Sequence, residues 1–393
     1  MKVVFISCYL SPHQIPFSNE MYKLLGDNYK FVSVEQTDQE RLNMGWNIDE
    51  NYEYEIKYYE ISDKKSVDNL IDESDVVIIG SASDRMIVNR LKKGKLTFKY
   101  SERLYKEGLN IKNVFRAIIS AWLHHGRYQK YNLYMLCASA YTAGDLAIFN
   151  NYIDRTYKWG YFPIIEKEEY NKIRGGYEKD FLDILWCGRL IGWKRPYLVL
   201  DIAKKLRERN IEFKIKILGD GYLRESLENK IKEENLVGNI EIINFVNYKK
   251  VNEYMRKSDI LLVTSDFNEG WGAVVNEAMS TGGIVIASHS VGSVPFLIKD
   301  KENGFIYEMN NIDEAVDAIS NCYDLETRQR ISYNAYLTIK NKWNEEIAAK
   351  RFLELAKGLL SGKKIEFEDG PCSKAKAIKQ RDMISYIKKG ENK

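Results

Sequence analysis

The stretch DILLVTSDFNEGWGAVVNEAMSTGG, residues 259–283, decides how the chain is read. Its first eight residues are apolar and β-prone, two glycines flank Trp271, and an apolar-periodic run follows. That succession predicts a buried strand, a tight turn and a helix, the repeating unit of a parallel sheet. Two carboxylates stand eight positions apart in it, Glu269 before the glycines and Glu277 after them.

The same alternation runs through most of the 393 residues. Strand-like runs KVVFISCY, YKFVSVE, EIKYYEI, DVVIIGSA, LTFKYSE and LYMLCASA occupy the first half. DILWCGRL, FKIKILGDG, NIEIINFV, DILLVTSD, GGIVIASHS and NGFIYE occupy the second. Strands separated by helix-length amphipathic stretches predict an α/β chain of two Rossmann-like, doubly wound domains facing a central cleft. Their expected bounds are 1–162 and 163–342, followed by a C-terminal helix and basic tail over 343–393 that returns to the first domain. Between the domains, residues 157–180 carry Gly160, Pro163 and the pair Gly175–Gly176 amid charges, as a hinge would. Ligands of open α/β sheets bind beyond the carboxyl ends of the strands, so loops 188–195 and 266–272 are expected to face the cleft.

Composition excludes several classes. At 45% apolar and 29% charged residues the chain is a globular protein, not a disordered one. Five scattered cysteines without a CxxC pair argue against a disulfide framework or a zinc site and suit a cytoplasmic setting. The N-terminal run ends at Ser11-Pro12-His13 without a signal-peptide cleavage pattern and reads as a first strand. No apolar run reaches the ~18 residues of a spanning helix. The net charge of +3 hides a basic stretch, 90–130, in which Phe115, Ile118, Ile119, Trp122 and Leu123 are interleaved with bases. Two readings stand there: a core helix with a solvated basic face, or peripheral contact with an anionic membrane at its cytoplasmic side. Nothing marks a nucleic-acid partner.

At residues 187–206, CGRLIGWKRPYLVLDIAKKL ends a strand at Gly188 and opens a helix near Pro196, a residue suited to a first helical position. Arg189 offers a bidentate fork and Lys194 a point charge, so together they can neutralise a diphosphate. From Gly272 to Glu277 a helix would rise ~7.5 Å, which places Glu277 in the second turn and the two glutamates at opposite ends of a ligand the length of a nucleotide sugar. The backbone N–H groups of Gly270, Trp271 and Gly272 would face its middle, where a side chain at 270 or 272 would keep a phosphate away. The plainer readings are that Glu269 complements a helix N-terminus and Glu277 is a solvated helical carboxylate.

GRLIGWKRP, ILGDG (217–221), NEGWGAVVNEAMSTGG and NGFIY (303–307) together resemble the family 4 glycosyltransferases. The resemblance implies the GT-B fold and retention of configuration at the anomeric carbon. It further implies Glu269 on sugar hydroxyls, Glu277 on the ribose hydroxyls, and Arg189 with Lys194 on the phosphates. YLSPHQIPFSNEMY, KYSERLYKEG and ASAYTAGDL resemble a subgroup that builds bacterial capsule or exopolysaccharide. The acceptor side is expected at Ser101 and Glu102 and at His13, whose loop after the first strand points into the cleft and whose imidazole titrates near neutrality; a structural hydrogen bond is the other reading of His13. SPHQIPF stands where many members carry a Gly-Gly loop, Ser101 and Glu102 where many carry histidine, and Phe296 where glutamate is common.

The expected substrates are a nucleotide-sugar donor, with UDP favoured, and a glycan or lipid-linked acceptor. No metal and no other cofactor is expected, because Arg189 and Lys194 supply the charge a divalent ion would bring and no D-x-D pair closes a strand. The rival readings are a sugar-nucleotide epimerase of the same fold and a non-catalytic nucleotide-binding protein at a membrane surface. A dehydrogenase is disfavoured, because no GxGxxG follows either opening strand.

Overall fold

The computed structural model describes residues 1–38, 51–165, 168–174, 180–244 and 246–389. The chain forms two compact units, one of Met1–Ile164 with Trp343–Gln380, the other of Ile165–Lys342 with Arg381–Lys393.

The first unit holds β1 (Val3–Ser7), β2 (Tyr29–Ser33), β3 (Glu55–Lys57), β4 (Val76–Ile79), β5 (Leu96–Ser101), β6 (Leu133–Cys137) and β7 (Thr156–Lys158). They pair in parallel in the order β3-β2-β1-β4-β5-β6-β7. The second holds β8 (Leu182–Cys187), β9 (Phe213–Leu218), β10 (Ile240–Ile243), β11 (Ile260–Val263), β12 (Ile284–Ser288) and β13 (Phe305–Tyr307), ordered β10-β9-β8-β11-β12-β13. Central strands such as VVII and ILLV are buried along their whole length because helices cover both faces of a parallel sheet. In each sheet the strand order reverses once, between β1 and β4 and between β8 and β11. Chains leaving the carboxyl ends of those neighbours turn to opposite faces and open a crevice. Ile260 and Leu261 of β11 lie in register with Ile184 and Leu185 of β8, so loops 188–195 and 264–272 leave the second sheet side by side.

All twelve strand-like runs form strands, and a thirteenth, β7, lies where the hinge was expected to begin. It was hidden because Thr156-Tyr157-Lys158 is only three residues long and sits at a sheet edge. The Gly175–Gly176 pair of that hinge lies outside the described residues. Arg174 next to it is anchored in the second unit: its guanidinium donates to the carbonyls of Met255, Arg256, Ser258 and Thr281, just where two helices end. A cation there meets the negative ends of both helix dipoles.

The segment after Lys363 runs along the edge of β7. Cys372 N–H donates to the Lys158 carbonyl (2.8 Å), Lys158 N–H to the Ser373 carbonyl (2.7 Å) and Ala375 N–H to the Thr156 carbonyl (3.1 Å). These bonds cover the free edge of β7, which would otherwise invite pairing with another chain. Helix Glu345–Leu360 packs on helix Ile15–Leu25, where Phe352 meets Phe17, Phe98 and Trp159. The last helix, Met383–Lys388, belongs to the second unit and pairs Lys388 with Glu314.

The fold divides the basic stretch 90–130. Lys99 is buried in an ion pair with Asp84 (2.6 Å), and Arg103 is buried against Asp145 (3.4 Å). Arg90 is wholly buried, its guanidinium donating to the carbonyls of Ile71, Ser74 and Leu96 and to Thr97 Oγ1. These three cations answer internal acceptors and are not surface charge. Helix Val114–His124 is not a core helix either, since only Ala117 and Ala121 of it are buried.

Replacing Arg90 by Met would leave three buried carbonyls without their donor. We expect a loss of about 3 kcal/mol in unfolding free energy. It is measured as a lower urea midpoint with an unchanged slope, and an unchanged midpoint would contradict the structural role.

Candidate functional site

In the second unit the site is built from the loops after β8 and β11. Beyond β8 the chain passes Gly188 and an exposed Arg189, makes a short 3-10 turn at Gly192–Lys194 and turns through Arg195 with φ of 56°. The helix behind it starts at Leu198, two residues later than Pro196 implied, so Pro196 lies in the turn. The loop is tied down from below. Trp186 Nε1 donates to Thr264 Oγ1 (2.8 Å), Thr264 Oγ1 donates to the Lys194 carbonyl (2.7 Å), and Asp266 N–H donates to the Trp193 carbonyl (2.9 Å).

Above these bonds Lys194 Nζ pairs with Glu269 Oε2, which also accepts from Ser265 Oγ (2.9 Å). Ser265 is braced in turn, its carbonyl accepting from Ser290 Oγ (2.8 Å). The Lys194 ammonium lies over the Trp193 ring at 4.8 Å, and the Arg189 guanidinium stands 5.9 Å from the same ring. Glu269 is therefore a held carboxylate with a defined orientation. Thr264, Ser265, Trp186 and Ser290 were missed in the sequence, where single hydroxyls and a core tryptophan carry no signal.

The helix after the glycine turn runs Val274–Ser280, and Glu277 falls in its first turn, not its second. It is buried, and its carboxyl pKa is pushed up to about 7 because burial penalises the charged form; the Lys194 charge opposes this. The solvated reading of Glu277 is thereby excluded. One lysine thus reaches both glutamates, by contact with Glu269 and through its field at Glu277.

Trp271 does more than present its backbone. Its ring is buried, with Nε1 donating to Asn276 Oδ1 (2.8 Å), and its carbonyl accepts from Ser293 N–H (3.0 Å). Gly272 has φ of 84°, and a Cβ there would come within 2.8 Å of Val291 Cγ1. The glycine is thus required by the fold of the turn itself, independently of any phosphate. In ILGDG, a Cβ on Gly219 would stand 1.9 Å from the Gly188 carbonyl oxygen, so the loop after β9 lies directly on the loop after β8. Phe296 packs near Trp271, with ring centroids 6.4 Å apart. His289 accepts from Met309 N–H at Nδ1 (3.0 Å) and is lowered in pKa by burial, as a scaffold residue would be.

The first unit holds the residues expected on the acceptor side. His13, in the loop after β1, stacks on Tyr161 with centroids 5.3 Å apart and planes 6° apart, and burial lowers its pKa to about 4. Tyr161 Oη donates to Glu102 Oε1 (2.6 Å), and Glu102 Oε2 pairs with Lys106 (3.0 Å). Ser101 ends β5, its hydroxyl donating to the Glu102 carbonyl (2.9 Å). His13 and Glu102 are brought together through Tyr161, which sequence reasoning had assigned to the hinge.

Residues 167–338 match the family model of Glycosyl transferases group 1. An uncharacterized glycosyltransferase of Methanocaldococcus jannaschii is 32% identical over 142 residues, 36% of this chain and 38% of its own length. The UDP-Gal:alpha-D-GlcNAc-diphosphoundecaprenol alpha-1,3-galactosyltransferase of Escherichia coli is 28% identical over 185 residues, 46% of this chain and 47% of its own. The alignments thus span less than half of these curated relatives. The crystal structure of Anabaena HepE in complex with UDP is similar with a TM-score of 0.65 and 15% identity, covering 91% of this chain and all of that one. That likeness shows the fold, two Rossmann-like α/β domains of the GT-B type. Among the described residues, no helix is long and apolar enough to cross a membrane.

The state of Glu277 sets a pH dependence. Its pKa is about 7 in the fold against an ordinary 4.5, so the folded protein holds this proton more tightly. Below pH 4.5 both states are protonated and nothing is lost. Between there and pH 7 the buried charge costs progressively more, reaching about 3 kcal/mol above pH 7. Glu277→Gln removes that cost, so its gain in urea midpoint over wild type should be small near pH 5 and large at pH 8. A pH-independent difference would refute the assignment.

Proposed function

We propose that the protein is a retaining, metal-independent glycosyltransferase. It moves a hexose from a nucleotide-sugar donor, UDP-linked by preference, to a glycan or lipid-linked acceptor in bacterial surface polysaccharide synthesis. The observation that carries this reading is the Lys194–Glu269 pair at the carboxyl ends of β8 and β11, beside the turn Gly270–Gly272. A carboxylate braced by Lys194 and Ser265 is suited to orient sugar hydroxyls, which need a charged acceptor. The group 1 family supports transfer over epimerisation. The donor preference is supported by HepE, crystallised with UDP and with UDP-glucose, and the acceptor class by the E. coli relative, whose name specifies a diphosphoundecaprenol-linked substrate.

In the proposed reaction the bond between the anomeric carbon and the β-phosphate oxygen breaks as the acceptor hydroxyl approaches from the same face. Its proton passes to the departing phosphate oxygen. Negative charge grows on that diphosphate, and Arg189 and Lys194 offset it in place, without a metal ion. An ammonium has three N–H donors, so Lys194 can hold Glu269 and a phosphate oxygen together. Gly188 lets the chain pass close beneath, and the N–H groups of Gly270, Trp271 and Gly272 face the diphosphate. Glu277 accepts from the ribose hydroxyls. On the acceptor side His13 is neutral at physiological pH and contributes a hydrogen bond, with Glu102 and Ser101 beside it.

Arg189→Ala should lower kcat by ~10²-fold or more, the scale of a lost electrostatic contact to a developing charge. Steady-state rates with a UDP-sugar read this, and a wild-type kcat would remove Arg189 from the reaction. EDTA should leave the rate unchanged; its loss with recovery on adding magnesium would refute metal-free transfer.

The two glutamates are expected to separate. Glu269→Gln should reduce kcat while affinity for free UDP survives, because only the sugar is misoriented. Glu277→Gln should weaken UDP and UDP-sugar alike, by ~1.5 to 3 kcal/mol for a hydrogen bond to a charged group. Calorimetry with UDP beside initial rates distinguishes them, and the opposite pattern would reverse the donor's orientation.

A further inference from the structure

Helix Val114–His124 of the first unit, with the turn leading into it, presents an apolar stripe to solvent. Ile111 is 89% exposed, Phe115 73%, Ile118 45%, Ile119 60% and Trp122 60%. The spacing, four, three, one and three residues, puts all five on one side of a helical path. The opposite side carries Ala117 and Ala121, the two residues of this helix that are buried. The hydrophobic arrangement is thus inverted: the small side chains meet the protein, and the large ones face outward. Contiguous apolar surface of this kind marks an interaction site.

The charges beside the stripe say what covers it. Lys112, Arg116, Arg127 and Lys130 are all exposed. Between Arg103 and Lys130 the sequence has one acidic residue, Glu107. Lys112 and Arg116, four apart, line one flank of the stripe. Arg90, Lys99 and Arg103 add nothing, being spent inside the fold.

We propose that this helix lies in the plane of an anionic lipid bilayer, with Phe115, Ile118, Ile119 and Trp122 entering the boundary between headgroups and acyl chains. Lys112, Arg116, Arg127 and Lys130 meet the lipid phosphates. Large apolar side chains on one side and cations beside them are what an interfacial helix requires, and Trp122 is of the type that settles at headgroup level. The cations draw the protein to the surface, and the apolar stripe makes the attachment persist when salt screens the charges. This inference rests on the first unit alone and is independent of the transfer chemistry in the second.

The test is flotation of the full-length protein with unilamellar vesicles, comparing phosphatidylcholine alone with phosphatidylcholine containing phosphatidylglycerol. Wild type should bind the phosphatidylglycerol vesicles at least ~10-fold more tightly, by the added attraction of several cations. Phe115→Ser/Trp122→Ser should reduce that binding at least ~10-fold, while Lys112→Gln/Arg116→Gln should flatten its salt dependence. The positions are exposed, so UDP affinity and the melting curve should stay at wild-type values. If the double serine variant does not fold, each serine change alone gives a smaller loss of the same sign.

Absence of binding to phosphatidylglycerol vesicles by wild type would overturn the proposal, as would undiminished binding by the serine variants. Wild-type self-association that the serine variants abolish, with no lipid binding, would assign the stripe to a second copy of the chain and equally overturn it. UDP affinity, read on the same samples, reports the donor site separately.

Discussion

The ion pair between Lys194 and Glu269 joins two loops that parallel topology places side by side but does not by itself bind together. Strand order reverses between β8 and β11, so the chains leaving them diverge to opposite faces of the sheet. Something must hold the loops in register across that divergence. The bonds from Thr264 and Asp266 to the backbone at Lys194 and Trp193 do so from below, and the ion pair does so above. A largely buried pair of this kind contributes little net stability once desolvation is counted, and its value lies in fixing geometry. Glu269 is held by two donors and is thereby aimed.

Burial at Glu277 works the other way. A carboxyl whose pKa rises to about 7 costs the fold stability at neutral pH, and the helix that carries it would be more comfortable with an amide. A group that destabilises its own fold yet sits one helical turn from a glycine loop is the pattern of a functional site. Lys194 moderates the cost through its field while bonding Glu269. Removing it would therefore disturb both glutamates, and its effects will not add simply to theirs.

In the first unit the connection is aromatic. Tyr161 stacks on His13 and donates to Glu102, so two residues far apart in sequence share one partner. The C-terminal segment closes the β7 edge, and helix Val114–His124 directs an apolar face outward.

The alternation of apolar strands and amphipathic helices, the division into two sheets and the glycine-bounded turn at 270–272 were all legible in the sequence. They depend on local periodicity and on backbone freedom, and both are written in neighbouring residues. The pairing of Glu269 with Lys194 was not, because the partners stand 75 positions apart. Nor were the start of the helix at Val274, the hydroxyls that brace Glu269, or the crowding of Gly272 by Val291. Charge was the most misleading guide, since a lysine or arginine looks the same in sequence whether it meets water or a buried carbonyl. Arg90, Lys99 and Arg103 turned inward, while Phe115 and Trp122 turned outward. Only packing decides that, because burial of a side chain depends on what the rest of the chain brings to face it.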